Sequence, residues 1–214
     1  MPASRRAPID EAGPRERILG AARELVAESG WQQARIALIA HRAGVATGSV
    51  YRHFDSRAHL YAQVLEVVSE REVAVIRAIV DSGGPASQRL VDAVFMFSLR
   101  ALRGPRLAYA LIAEPCDVEI DVARLRYRAA LADELARLVR DGIASGEFID
   151  VDAAIAAACV TGAFMEALVG PLAREARLEA AGARRVAQGI AALTARMLFR
   201  RSAPRLTLVS KGLK

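Results

Sequence analysis

Residues 44–54 read GVATGSVYRHF. A glycine and a short polar stretch lead into Tyr51, Arg52 and His53, crowded beside Val50 and Phe54. Two readings are open: an incidental surface turn, or a small helix built to present polar groups and seated by Val50 and Phe54 at i and i+4. The preceding residues decide between them. Ile36, Ile39, Ala40 and Ala43 mark one face of a short helix, and Ala40 lets a neighbour approach closely. Gly44 suits that helix's C-terminal cap, where φ is positive, and Val45 turns inward. Thr47 to Phe54 then form a second short helix, which makes the pair a helix-turn-helix. In that arrangement the second helix enters the major groove with its first residues at the base edges. Thr47 and Ser49 are short hydrogen-bonding groups at its front, and Gly48 leaves space for backbone or a thymine methyl. Tyr51 and His53 can donate to phosphate oxygens, and Arg52 reaches base or phosphate. For Tyr51 the alternative is ring packing on the next helix; for His53 it is a solvent-facing cap.

Outward from this stretch the pattern stays helical, with no long period-2 alternation and no internal repeat. Pro14 opens a first helix striped by Ile18, Leu19, Ala22, Leu25 and Val26 and stopped by Gly30. Trp31, the one tryptophan, is expected to close the small core as a lid. Ser56 caps a long helix over about 57–81, striped by Leu60, Val64, Val67 and Val68. DSGGPAS at 81–87 is a loop and the expected domain boundary. Five further helices are expected at about 88–103, 105–114, 119–145, 152–171 and 180–201, separated by Pro105, Pro115, Gly146 and Pro171. The fold class is all-α. A Pro- and charge-rich arm covers 1–13, a DNA-binding unit 14–60 with its linker helix to about 81, a helical bundle 82–201 and a basic tail 202–214.

Composition agrees. Of 214 residues 53% are hydrophobic but only 5% aromatic, so Ala, Leu and Val carry the packing, and helix is favoured over sheet. The net charge of +6 is uneven: residues 196–214 hold six Lys or Arg and no acid, whereas 58–195 hold 15 Arg against 18 acids. Basic ends suit a polyanion, and equally suit solvated tails. The N-terminus lacks the apolar core of a signal peptide, and the uncharged stretch Ala153 to Met165 falls short of the roughly 20 residues of a membrane helix. A cytoplasmic protein with no membrane partner is expected, and Cys116 and Cys159 read as ordinary thiols. All three histidines lie within 41–59, and His41 and His59 have no second ligand at metal spacing. With no phosphate loop or dinucleotide fingerprint either, an enzyme is disfavoured and no cofactor or metal is expected.

The run IALIAHRAGVATGSVYRHFDSRAHLY at 36–61, within residues 14–60, resembles the DNA-binding domain of the TetR (tetracycline-repressor) family of bacterial transcription regulators. The resemblance implies that Thr47, Gly48 and Ser49 face bases, and that Tyr51, His53 and Arg57 contact phosphates. Arg35 stands where the family often carries a capping Thr or Ser, which keeps a phosphate contact without the cap. It also implies a homodimer, a double-stranded operator and a C-terminal bundle that holds a small-molecule effector. The expected function is a repressor released from a near-palindromic operator by a small, largely apolar effector. The alternative is a DNA-binding regulator without such an effector, either protein-regulated or architectural.

Residues for the C-terminal roles come from patterning. Phe95, Phe97, Tyr109, Leu111, Tyr127, Thr161, Phe164 and Met165 are pocket candidates, with Glu114, Arg124, Arg128 and Glu166 as orienting groups. Arg124 and Arg128 share a helix face and suit a carboxylate or phosphate; an ion pair with Glu114 or a solvated face is the alternative. Small residues including Ala156, Val160 and Ala163, with the stripe of Ile190, Leu193 and Met197, are the expected dimer face, unless both faces pack within one subunit.

Overall fold

The computed structural model describes residues 13–173 and 178–199. The arm at 1–12 and the tail from 200, including the 202–214 segment, lie outside the described residues. Among those described, the chain forms nine helices and no strand: α1 Pro14–Ser29, α2 Ile36–Ala43, α3 Thr47–His53, α4 Arg57–Val80, α5 Ala86–Arg103, α6 Pro105–Ile112, α7 Val118–Ala144, α8 Ala153–Ala173 and α9 Ala180–Ala195.

Local chemistry sets these boundaries. Pro14 sits in the first turn of α1, where its missing N–H costs nothing. Gly44 adopts the left-handed conformation (φ 65°, ψ 39°) after α2, and its N–H returns to the carbonyls of Ala40 and His41. Ser56 caps α4 by accepting the His59 N–H at 2.9 Å. Two ends differ from the sequence reading. Helix α6 stops at Ile112, shortly before Pro115, which has no N–H and disfavours helical backbone at Glu114. The last helix stops at Ala195 instead of 201; Phe199 then forms an isolated bridge with Phe148, and their rings stack at 6.2 Å.

The first three helices pack around Ile18, Val26, Ile39, Val50 and Phe54. Helix α4, 24 residues and about 36 Å long at 1.5 Å per residue, carries the chain from there into the bundle. There it lies along α7, while α5 packs on α9 and α7 on α8. The buried apolar residues form one continuous cluster through both parts. Helix α8 runs on past Glu166 to Ala173, so its 21 residues are long and apolar enough to cross a membrane by length and composition. That corrects the shorter count made to Met165. One face, with Ala157, Val160, Phe164 and Leu168, is buried in the bundle.

The start of α5 has no cap of its own. Its free N–H groups at Ala86 and Ser87 donate to Glu147 at 2.9 and 3.0 Å, and the Ser87 hydroxyl donates at 2.6 Å. These bonds, led by the Ser87 hydroxyl, hold the Glu147 carboxyl down at about 2 against an ordinary 4.5. A carboxylate depressed in the folded state stabilises above the unfolded value and loses that contribution as pH falls through the folded one. Glu147→Gln is therefore expected to lower the melting temperature at pH 7. In thermal melts taken across pH the gap to the parent protein should close between about 4.5 and 2.

Candidate nucleic-acid interface and effector cavity

Helix α3 is held by two residues, Val50 and Phe54, each 1% exposed. The Arg15 guanidinium covers the Phe54 ring at 5.3 Å. Seating α3 on that face leaves Thr47, Gly48, Tyr51, Arg52 and His53 in solvent, with Ser49 half-buried. Tyr51 is 53% exposed, so packing is not what its ring serves. Arg35 is exposed at the start of α2, in extended backbone and with no side-chain cap, as its long side chain dictates. Arg57 opens α4, 3.5 Å from Asp117 and 5.8 Å from the Tyr61 ring centroid. The eight residues singled out for DNA thus lie at the start of α2, on α3 and at the start of α4, where Arg57 is paired with Asp117. The arginines offer charge-assisted donors, and Tyr51 and His53 add a hydroxyl and an imidazole.

This unit is tied to the bundle by Trp31, which is not a lid on a separate small core. Its indole N–H donates to the Ala110 carbonyl at 2.6 Å and its backbone N–H to Glu114 at 3.2 Å. Its ring lies 4.9 Å from that of Tyr61, whose hydroxyl donates to the Ala34 carbonyl. Burial pushes the Tyr61 phenol up to about 12. Gly30 is required twice over. Its φ is +81°, and a Cβ there would lie 2.7 Å from both Glu114 carboxylate oxygens. Arg106 adds a bond to the Ser29 carbonyl at 2.9 Å. No local pattern marks these partners, since 79 residues separate Trp31 from Ala110.

The orienting pair expected for a ligand is spent here. Arg124, 8% exposed, donates to the carbonyls of Ala110, Leu111 and Glu114 at 2.6, 3.1 and 2.5 Å and to Asp121 at 2.9 Å. It closes the C-terminal end of α6, whose last carbonyls have no helical partner. Glu114 receives Trp31. Both side chains are thus engaged within the protein, Arg124 by the carbonyls at the end of α6 and Glu114 by the Trp31 N–H. Arg128 reaches the Ile112 carbonyl at 3.4 Å and is otherwise solvated. Phe95 turns toward α9, with Arg184 over its ring at 5.6 Å. Thr161, Phe164 and Met165 are buried in the core, and Tyr109 is half-buried on α6.

A small, partly open cavity of about 100 Å³ does lie where α4, α5, α6 and α7 meet, lined among others by Val68, Phe97, Leu107, Leu111 and Tyr127. Of the predicted pocket residues, Phe97, Leu111 and Tyr127 line it; Phe164 stands behind, its ring 4.9 Å from that of Phe97. The bidentate pair of Arg100 and Glu72, at 2.8 and 2.6 Å, forms a polar corner of the wall. Cys116 is half-buried, its thiol pushed up to about 11 by burial, and is therefore protonated at neutral pH.

The predicted dimer set divides. Ala156, Val160 and Ile190 are buried within the subunit. Helix α8 is apolar on every side, so its sequence does not announce which face turns inward. Helices α8 and α9 and the turn after α9 leave Ile155, Leu193 and Met197 65%, 68% and 45% exposed, beside Ala158, Cys159, Gly162 and the half-buried Ala163.

Fold and surface together define a helix-turn-helix protein with an all-helical second part. Residues 18–64 match the model of bacterial regulatory proteins of the tetR family, and residues 88–188 match the model of Tetracyclin repressor-like C-terminal domains. The chain belongs to the TetR family of transcription regulators and is not an enzyme. It is 33% identical over 97 residues to the HTH-type transcriptional repressor KstR of Mycolicibacterium smegmatis, a match spanning 45% of this chain and 48% of that one. It is 28% identical over 151 residues to KstR2 of Rhodococcus jostii, covering 68% and 74%. The transcriptional regulator FadR from Bacillus subtilis, solved in complex with stearoyl-CoA, superposes with a TM-score of 0.73 at 18% identity, covering 84% of this chain and 97% of that one.

Trp31→Phe keeps a six-membered aromatic ring but deletes the indole N–H and the five-membered ring that carries it, at a site only 2% exposed. A loss of about 2–3 kcal/mol is expected in urea unfolding, the cost of one buried hydrogen bond plus the void left behind.

Proposed function

We propose that the chain is a cytoplasmic homodimeric repressor that leaves a near-palindromic operator when a small effector binds between its helices. The observation that carries the reading is α3: a helix pinned by Val50 and Phe54 that turns its polar residues outward. Thr47, Gly48 and Ser49 read base edges. Arg35, Tyr51, His53 and Arg57 hold phosphates, and Arg52 serves either. The units that do this are residues 14–60, joined by α4 to a bundle from residue 82 onward. One short helix has too little contact to be specific, so two subunits place two recognition helices about 34–36 Å apart. The exposed apolar face of α8 and α9 supplies the partner surface, through Ile155, Leu193 and Met197.

The effector part of the reading draws on the cavity and on relatives named as repressors. A volume of about 100 Å³ holds three or four waters, well below the roughly 300 Å³ of a ligand pocket. An effector group that enters this cavity therefore fits only if α4, α6 or α7 moves, which gives it a preference for a second conformation. A tilt of α4 shifts the attached α3 and spoils the spacing of the two recognition helices. Couplings of about 1–3 kcal/mol are usual for such linkage, and reciprocity requires operator DNA to weaken the effector by the same factor.

Footprinting and titration on the protein's own upstream DNA test this. Four to eight neutralised phosphates predict a log–log salt slope of roughly −4 to −7, and salt-insensitive binding would sink the reading. Tyr51→Phe should weaken all sequences alike, whereas Thr47→Ala should change base preference. The dimer has its own test in sedimentation equilibrium. Leu193→Glu should give monomers near 23.0 kDa that lose operator affinity. The buried Ile190, changed to Val, should leave the dimer intact.

A further inference from the structure

A groove of about 1050 Å³ runs between α4 and α7, from Asp55 below α3 to Arg77. It is a different space from the small cavity, and Tyr127 is the residue that lines both. Its charge is lopsided. Asp55, Glu66, Glu70 and Glu119 face it, against His59, Arg77 and Arg126. Asp55 lies 3.4 Å from His59, and Arg77 is held by Glu134 at 2.7 Å. Glu66, Glu70 and Glu119 remain against Arg126, an excess of negative charge. Glu66 and Glu70 stand four residues apart on one face of α4, with Glu119 across on α7.

Between the two glutamates of α4 lies Ser69. It is 7% exposed, lines the groove, and its Oγ has no hydrogen-bond partner. A buried hydroxyl left unpaired is unfavourable, and an occupant of the groove offsets that loss.

We propose that this groove is the polar mouth of the effector site and takes a protonated amine carrying an apolar chain. The ammonium sits among Glu66, Glu70 and Glu119 and donates one N–H to Ser69 Oγ. The chain passes Tyr127 toward the cavity walled by Phe97 and Leu111. The inference rests on the reading that the chain answers to a small effector, and it names that effector's class. An anionic head is disfavoured because three exposed carboxylates line the groove and repel it, an effect that salt screens. An amine suits the groove better than a fully alkylated ammonium, because only the former has N–H groups for both Ser69 and the carboxylates.

Isothermal titration calorimetry of the full chain with octylamine, octanol and octanoate at pH 7 and low salt tests it. Octylamine should bind about tenfold or more tighter than octanoate, the factor expected of one charge-assisted hydrogen bond, and the gap should narrow as salt rises. The double variant Glu66→Gln/Glu70→Gln should bring octylamine down toward octanol. Ser69→Ala should weaken octylamine several-fold while leaving the melting temperature equal or higher, because the unpaired hydroxyl is gone. Octanoate binding as tightly as octylamine, no octylamine binding at millimolar concentration, or octylamine binding unchanged in both variants would each overturn the proposal. The effector reading itself stands or falls separately, on whether any small metabolite releases the protein from its operator.

Discussion

Apart from the continuous α4, the DNA-facing part of the molecule is joined to the bundle through the buried contact of Trp31 with the end of α6. The contact works because three features coincide. Gly30 turns the chain through a positive φ where no side chain would clear Glu114. The indole of Trp31 then reaches the Ala110 carbonyl. Arg124 binds that same carbonyl, together with those of Leu111 and Glu114, from the opposite side. A helix end buried this deeply would otherwise leave acceptors without donors, at about 1–3 kcal/mol each. Arg124 is thus the reason α6 can end inside the protein, and the end of α6 is what Trp31 holds.

The same helix walls the small cavity through Leu107, Ala108, Leu111 and Ile112. Enlarging that space and keeping Trp31 in place make opposing demands on one element only eight residues long. Close-packed interiors do not deform smoothly; they switch between arrangements. A ligand that pushes on α6 or α4 therefore acts directly on parts that hold α1 and α3. No long chain of intermediaries is needed, because cavity wall and interdomain contact are successive faces of one helix.

How far the sequence foretells this depends on the range of the interactions. The helix-turn-helix was legible from residues 36–54, because its determinants lie within a few turns of one another: Ala40 for close approach, Gly44 for the left-handed turn, Val50 and Phe54 for the seat. The Ser56 cap was legible for the same reason. Arg124 was not. An arginine on an apolar helix face reads alike whether it meets a ligand carboxylate or three backbone carbonyls 10 to 14 residues away. The face of α8 that turns inward was hidden differently. Ala, Val and Ile ring the helix, so no polar stripe distinguishes Val160, which is buried, from Ile155, which is not. Trp31 was assigned to the nearest core because the true partner lies in another helix of the bundle.

Arg57 shows how the proposed activities meet in one side chain. It begins α4, the helix that carries α3, and its guanidinium lies 3.5 Å from Asp117 at the start of α7. In the proposed complex a phosphate competes with Asp117 for that group. Both partners are about half exposed, so the existing pair contributes little and exchanges readily. Engaging DNA then frees Asp117, two residues before Glu119 on the wall of the α4–α7 groove. The freed carboxylate adds negative charge near the groove mouth, which favours a cation there. The steric demand of the apolar chain on α4 runs the opposite way. For an effector to release the operator, the second contribution must outweigh the first. The electrostatic one is screened by salt over about 8–10 Å, and the packing one is not. Raising ionic strength therefore shifts the balance toward release, over and above its direct weakening of phosphate contacts.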